Sequence, residues 1–112
     1  MENKQTRPVV WLHGEIKTPP FSPAARLEAG ILLRRLQAGE ILGMPHSRPM
    51  RTVGPACHEL RIVDGTKSRR IIYHLSGDAV VLLEVFAKKS GRTPKRVIQT
   101  CRWRLADYLG TV

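Results

Sequence analysis

Residues 57–89 constrain the fold of this chain more than any other stretch. They contain three short runs of β-branched, aliphatic and aromatic residues, at 58–63, 69–75 and 79–87, joined by an Asp-Gly and a Ser-Gly-Asp connection. Asp, Gly and Ser in such short connections are typical of tight turns between antiparallel strands. The stretch is therefore predicted to form a three-stranded antiparallel meander.

Basic residues lie within or directly after every strand of this meander. Because side chains alternate between the two faces of a strand, Arg61, Arg70 and Lys88 can share one face. The other face then receives a set of large apolar side chains: Leu60, Ile62, Ile71, Tyr73, Val81, Leu83 and Val85. One face is expected to pack and the other to bind, although an ordinary solvated sheet face would show the same alternation.

The flanking segments add one strand and two helices. Residues 9–12 form a β-branched and aromatic run that favours a strand. Ser22-Pro23 combines an N-cap residue with a proline at the first helical position, and apolar residues follow at helical spacing up to Gly39. Thr93-Pro94 repeats this signature, which predicts a second helix to about residue 109. The order β, α, three β, α predicts an α+β fold in a single domain, residues 1–112.

Trp103 falls at the edge of the apolar stripe of the second predicted helix. Two interpretations remain open for it: an anchor at the core boundary, or an exposed aromatic residue that a partner protein contacts.

The charge of the chain indicates the class of its partners. Lys and Arg number 19 against 9 Asp and Glu, which gives a formal net charge of +10 and a pI of about 10.6. Such an excess attracts polyanions, so nucleic acid or an acidic protein is expected to bind. No apolar run approaches the roughly 20 residues of a membrane span, and the polar N-terminus lacks the apolar core of a signal peptide, so a cytoplasmic protein without membrane contact is expected. Cys57 and Cys101 lack metal-ligand spacing, and neither a metal nor a cofactor is predicted.

Several short motifs together resemble the phage-derived Gp49-like branch of the RelE/HigB toxins, from about residue 9 to residue 108. They are Leu42-Gly43-Met44-Pro45 before a basic loop, His58-Glu59-Leu60-Arg61, Arg70-Ile71-Ile72-Tyr73, and Val85-Phe86-Ala87-Lys88-Lys89 followed by Thr93-Pro94. The resemblance implies a RelE-like fold, with a small twisted antiparallel sheet and helices packed on one face. It also implies the toxin of a type II toxin-antitoxin system. The activity that the resemblance implies is ribosome-dependent cleavage of mRNA, with mRNA, the ribosome and an antitoxin that usually carries a helix-turn-helix motif as partners.

The reaction implied is metal-independent attack of a ribose 2′-hydroxyl on the adjacent phosphate. Arg61 and Arg70 match the family's strand positions that clamp the scissile phosphate, and Lys88 and Lys89 match its basic pair after the last strand. A lysine whose pKa is lowered by neighbouring cations could act as the base.

Histidine is the other candidate for proton transfer, because imidazole titrates nearest neutral pH. His74 shares a face with Arg70, whereas His58 lies opposite Arg61, so His74 is the preferred catalytic histidine. Further RNA contacts are expected from four residues outside this catalytic set: Arg48, Arg51, His58 and Arg92. The family's tyrosine or histidine after the last strand is absent here, and the guanidinium of Arg92 could stack on a base instead.

Two other functions remain open on the sequence alone. A ParE-like toxin would share the fold and inhibit DNA gyrase without cutting RNA. A basic nucleic-acid-binding accessory protein would have no toxicity. The cations that converge on one sheet face favour cleavage, since binding to gyrase does not require them.

Overall fold

The centre of the fold is a five-stranded sheet, which a computed structural model describes together with its helices over residues 6–17, 20–88 and 91–110. In chain order the elements are β1 (Val9–Trp11), α1 (Pro23–Gln37), β2 (Ser47–Pro49), β3 (Cys57–Asp64), β4 (Lys67–Leu75), β5 (Val80–Lys88) and α2 (Lys95–Leu109). Across the sheet the strands lie in the order β1-β5-β4-β3-β2. The α+β class and the meander of β3, β4 and β5 are confirmed.

The sheet is mixed rather than wholly antiparallel, because β1 pairs with β5 in parallel. The chain between β1 and β5, which runs through α1, β2, β3 and β4, allows this, since parallel neighbours need a long connection that brings the chain back in the same direction. β2 is a short edge strand that the sequence did not predict, and it pairs antiparallel with β3 inside the segment expected to be a basic loop.

The helices lie on opposite faces of the sheet, which differs from the expectation that both pack on one face. Leu32 and Leu36 of α1 belong to one core with Tyr73. Cys101 of α2 belongs to a second core with Ile72. Because Ile72 and Tyr73 are neighbours on β4, their side chains point to opposite faces. Each face of the sheet therefore carries its own core.

A register shift in β4 and β5 explains why the predicted apolar face was partly wrong. The pairing slips between Ile72 and Tyr73, and a bulge reverses the alternation of one strand relative to its neighbour. Val81 and Leu83 consequently pack in the α2 core, whereas Val85 stays with the α1 core.

The helix starts differ in how they are capped. At α1 the backbone N–H of Ala25 donates to Ser22 Oγ at 3.1 Å, as predicted. At α2 the N-cap position is Pro94 rather than Thr93, and no side chain caps the helix. The Thr93 hydroxyl makes a different bond, described below. Within the described residues no helix is long and apolar enough to cross a membrane.

Candidate functional site

A buried carboxylate on β3 gathers the cations of the sheet. Glu59 is fully buried, and its Oε1 lies 3.1 Å from Arg48 Nε, 3.2 Å from Lys88 Nζ and 3.5 Å from Arg70 Nε. The Thr93 hydroxyl donates to Oε2 at 2.7 Å. These five residues are called the Glu59 cluster below. Three cations against one carboxylate leave the cluster with excess positive charge.

Strand register places these side chains on one face. Arg48 of β2 is paired with Glu59 of β3, and Arg61 of β3 is paired with Arg70 of β4. Because residues two apart on a strand share a face, Glu59 and Arg61 point the same way. β5 supplies Lys88 from its last residue, and the segment before α2 supplies Thr93. The cluster thus connects the four strands β2 to β5 with the segment that leads into α2.

The charge of Glu59 is stabilised by its partners. Burial alone would raise its pKa, but the hydrogen bond from Thr93 and the charges of Lys88 and Arg48 outweigh this effect. The pKa of Glu59 therefore lies below its usual value. The carboxylate holds its cations in place and is a poor proton acceptor.

Burial has the opposite consequence for the cations. It lowers the pKa of Lys88, and the charges of Arg48 and Arg70 act in the same direction, against the attraction of Glu59. Burial likewise lowers the pKa of Arg70, with a further contribution from Arg61. Lys88 is consequently the cluster member in which a neutral amine forms most easily, because a lysine starts from a lower pKa than an arginine.

Arg61 differs from the cluster members in its surroundings. It is half-buried, and its Nη1 lies 3.4 Å from the sulfur of Met44. No carboxylate forms an ion pair with it anywhere in the described ranges. The positive charge of Arg61 is thus not balanced by an ion pair with any carboxylate of the described residues.

An open groove of about 370 Å³ adjoins the cluster. Its lining consists of Arg48, Met50, Thr52, Gly91, Arg92, Thr93, Lys95 and Ile98. The cations of the lining can contact phosphate groups, and Met50 and Ile98 add apolar surface. The groove therefore combines positive charge with apolar surface.

The structure brings most of the predicted cations together. Arg70 and Lys88 are members of the cluster with Arg48, and Arg61 is beside them. Arg92 lines the groove. Arg51 is exposed in the connection between β2 and β3. Lys89 lies outside the described residues, so its role stays a prediction.

The two histidines are not brought to the cluster. His74 is buried four residues along β4 from Arg70, about 13 Å at the usual strand rise. Its Nδ1 lies 2.9 Å from the Pro55 carbonyl oxygen and 3.7 Å from Cys57 Sγ. Burial raises the pKa of Cys57 to about 11, so this thiol stays protonated and does not form a reactive pair with the imidazole.

His58 lies on the face opposite Arg61, as the alternation predicts. Its ring stacks on the ring of Tyr73 with 5.3 Å between the centroids. Burial lowers its pKa and favours the neutral form. Neither histidine lies beside the Glu59 cluster. The RNA contact of His58 and the catalytic role of His74 stay predictions.

Glu59 and Thr93 are the site residues that sequence reasoning missed. A signal existed for Glu59, because it lies two residues before Arg61 and so shares the face that carries the cations. Thr93 was assigned as a helix cap, and only the approach of β3 to the start of α2 reveals its contact with the carboxylate.

The α+β fold with its open mixed sheet is consistent with the RelE-like class. Residues 20–106 match the model of the family described as phage-derived protein Gp49-like (DUF891). The match spans well over half of the chain, and the chain belongs to this family. Gp49-like proteins are a RelE-like toxin family associated with toxin-antitoxin systems. No curated protein matches the chain.

Proposed function

We propose that this chain is the toxin of a type II toxin-antitoxin system and that it cleaves mRNA on the ribosome. One observation supports this above others: Arg48, Arg70 and Lys88 are fixed around Glu59 on the same face as Arg61, next to a groove with room for a nucleotide. The membership of the Gp49-like family supports the toxin class.

The proposed reaction needs positive charge held in advance. When a 2′-oxygen attacks the neighbouring phosphorus, negative charge grows on the phosphate oxygens. Cations that are already positioned stabilise that transition state more than the ground state. In this proposal Arg61 contacts the phosphate directly, because no carboxylate of the described chain pairs with it. Arg70 supplies positive charge from the buried cluster next to Arg61, and Lys88 adds its charge once it has taken up the 2′-hydroxyl proton.

The proton transfers complete the proposed reaction. The 2′-hydroxyl loses its proton to a base, the O2′–P bond forms, the P–O5′ bond breaks, and the leaving O5′ takes up a proton from solvent water. A cyclic phosphate and a free 5′-hydroxyl result. Lys88 in its neutral form is the proposed base, because burial lowers its pKa.

An antitoxin is the expected protein partner. The +10 charge of the chain favours an acidic partner through long-range attraction. By covering the basic face or by blocking access to the ribosome, such a partner would neutralise the toxin.

Expression of matched variants in a bacterial host tests the proposal. Arg61→Ala and Arg26→Ala each remove one positive charge, but Arg26 is exposed on α1, on the opposite side of the sheet. Growth and the 5′ ends of messenger RNA are followed after induction. The wild type and Arg26→Ala should arrest growth and produce new 5′-hydroxyl ends within translated codons. Arg61→Ala should reduce these ends about a hundredfold or more, the usual loss when one preorganised charge-stabilising donor is removed.

Each other outcome has a definite meaning. Growth arrest without new ends would exclude cleavage and indicate a toxin that acts by binding, as ParE-like proteins do. Full toxicity of Arg61→Ala at equal expression would show that the site is assigned wrongly. Equal cutting of purified mRNA with and without ribosomes would exclude ribosome dependence.

A further inference from the structure

β1 is an edge strand, and the backbone N–H and C=O groups of every second residue point away from the neighbouring strand β5. The N–H of Leu12 donates to the Leu82 carbonyl at 3.0 Å, and the N–H of Val80 donates to the Pro8 carbonyl at 2.9 Å. Even-numbered residues of this segment therefore face β5. The backbone groups of the odd-numbered residues point outward, because N–H and C=O directions alternate along a strand.

The outward backbone groups have hydrogen-bond partners at Arg7 but none among the described residues at Val9 and Trp11. The Arg7 N–H donates to the Gln37 carbonyl at 2.9 Å, and Gln37 Nε2 donates to the Arg7 carbonyl at 2.8 Å. The end of α1 thus closes this part of the edge. No described residue bonds to the outward groups of Val9 and Trp11.

Two largely apolar pockets, each with a charged rim, flank the open edge on the two faces of the sheet. On the α1 side, Trp11 lines a pocket of about 320 Å³ with Gly14, Glu15 and Ile16. On the α2 side, a pocket of about 330 Å³ is lined by Leu12, Trp103, Arg104, Asp107 and Tyr108.

Both tryptophans are unusually exposed for their size. Trp11 is 45% exposed and Trp103 is 60% exposed, so Trp103 is not a core anchor. Large aromatic residues on an otherwise charged surface are typical of protein contact sites.

We propose that this edge binds an extended segment of an acidic partner chain. The segment adds a strand beside β1, and its backbone pairs with the open groups of Val9 and Trp11. Because side chains of a strand alternate, successive large apolar residues of the segment enter the Trp11 pocket and the Trp103 pocket in turn. The geometry fits this occupant better than a helix, which would leave the open backbone groups unpaired.

The charge of the chain distinguishes the partner from a second copy. Two molecules that each carry a net charge of +10 repel each other, whereas a negatively charged chain is attracted. The edge also lies away from the Glu59 cluster, since β1 pairs with residues 80–82 at the start of β5, whereas Lys88 of the cluster is the last residue of that strand. The proposal does not depend on the cleavage activity, because it concerns a different surface and is tested by binding alone.

A synthetic peptide and the full chain test the proposal. In the alternating peptide, adjacent leucine-phenylalanine pairs alternate with aspartate-threonine pairs, so that the two apolar side chains of each pair point to opposite faces of the strand. A scrambled peptide has the same composition, with apolar residues only at every second position, so that all of them point to one face. Hydrogen exchange is followed by NMR, and affinity by tryptophan fluorescence. The amides of Val9 and Trp11 should exchange rapidly in the free protein and slowly with the alternating peptide bound. The scrambled peptide should bind at least about tenfold more weakly.

Chemical and protein variants locate the contact. Two further peptides are N-methylated at alternate positions. In one, the methyl groups block the amides that face β1, and in the other they block the amides that face solvent. Only the peptide with blocked β1-facing amides should lose affinity, by about tenfold or more, because hydrogen bonds to β1 are lost. Trp11→Ala and Trp103→Ala should weaken binding, whereas Leu27→Ala on exposed α1 should not.

Three results would overturn the proposal. The first is protection of the Val9 and Trp11 amides in the free protein, which would show that the edge is already covered. The second is equal binding of the alternating and scrambled peptides, which would show attraction by charge alone. The third is no detectable binding of the alternating peptide.

Discussion

At the scale of single residues, Glu59 is the position on which most of the site depends. Glu59→Gln removes the only carboxylate of the cluster and leaves the largely buried Arg70 and Lys88 with uncompensated charge. Breaking a buried pair in this way typically costs about 3–5 kcal/mol of the free energy of unfolding. Urea denaturation measures the loss. Glu40→Gln is the control, because it removes the same charge from an exposed pair with Arg35 and should cost about 0–1 kcal/mol. Equal losses would mean that the cluster contributes no more than a surface pair.

The lowered pKa of Glu59 also predicts how stability depends on pH. The folded protein releases this proton at a lower pH than the unfolded chain does, where the pKa of Glu is about 4.3. The stabilisation is therefore complete above about pH 4.3 and is lost as the pH falls through the folded-state pKa. Urea denaturation across acidic pH should show a steeper decline for the wild type than for Glu59→Gln. Parallel curves would show that the pKa of Glu59 is unchanged by folding.

At the scale of elements, Thr93 links the start of α2 to the cation cluster. Thr93→Val keeps the shape of the side chain but removes the hydroxyl that donates to Glu59 at 2.7 Å. Hydrogen bonds to charged groups contribute about 1.5–3 kcal/mol, and a loss in this range is expected in urea denaturation. Thr100→Val, whose hydroxyl bonds the Arg96 carbonyl within the exposed part of α2, should cost less. A loss at Thr93 no larger than at Thr100 would contradict the link.

The segment after β1 depends on a glycine for a close approach to β5. Gly14 has a φ of +92°, and a Cβ built on it would lie 2.8 Å from the Cβ of Val85. Gly39 has a similar φ of +94°, but a Cβ there would meet no atom within 4 Å. Gly39→Ala should therefore cost about 1–2 kcal/mol from backbone strain alone. Gly14→Ala should cost more, and the melting temperatures of the two variants measure the difference. Equal costs would show that Val85 yields without penalty.

The elements also show what a sequence can and cannot predict. The strands of the meander and the start of α1 are encoded locally, by turn residues and by the Ser22 cap, and they were predicted. β2 was missed because a three-residue edge strand that contains a proline gives no periodic signal. Val81 and Leu83 were assigned to the wrong face because a bulge in β5, opposite Ile72 and Tyr73, shifts the alternation of that strand. The placement of the helices on opposite faces depends on how each helix packs on the sheet, which no local pattern reports. The meeting of Glu59 with Thr93 depends on long-range packing, which local patterns do not report.

At the scale of the whole molecule, the net charge of +10 raises affinity for any nucleic acid, so specific binding must be separated from general attraction. The position of each charge makes this separation possible. Arg61 lies on the proposed RNA-binding face, and Arg26 lies on the helix that covers the other face. Substitution of either residue by alanine changes the net charge equally.

Salt dependence of binding to a 2′-O-methylated RNA oligonucleotide therefore tests where RNA lies, since this substrate lacks the attacking hydroxyl and stays intact. For single strands the logarithm of the binding constant falls with the logarithm of salt concentration by about 0.7 per phosphate contact. Arg61→Ala should lower the steepness by about that amount, because one contact is lost. Arg26→Ala should give the same slope as the wild type. Equal slopes for the two variants would mean that charge spread over the whole surface binds the RNA, rather than the sheet face that carries Arg61 and the Glu59 cluster.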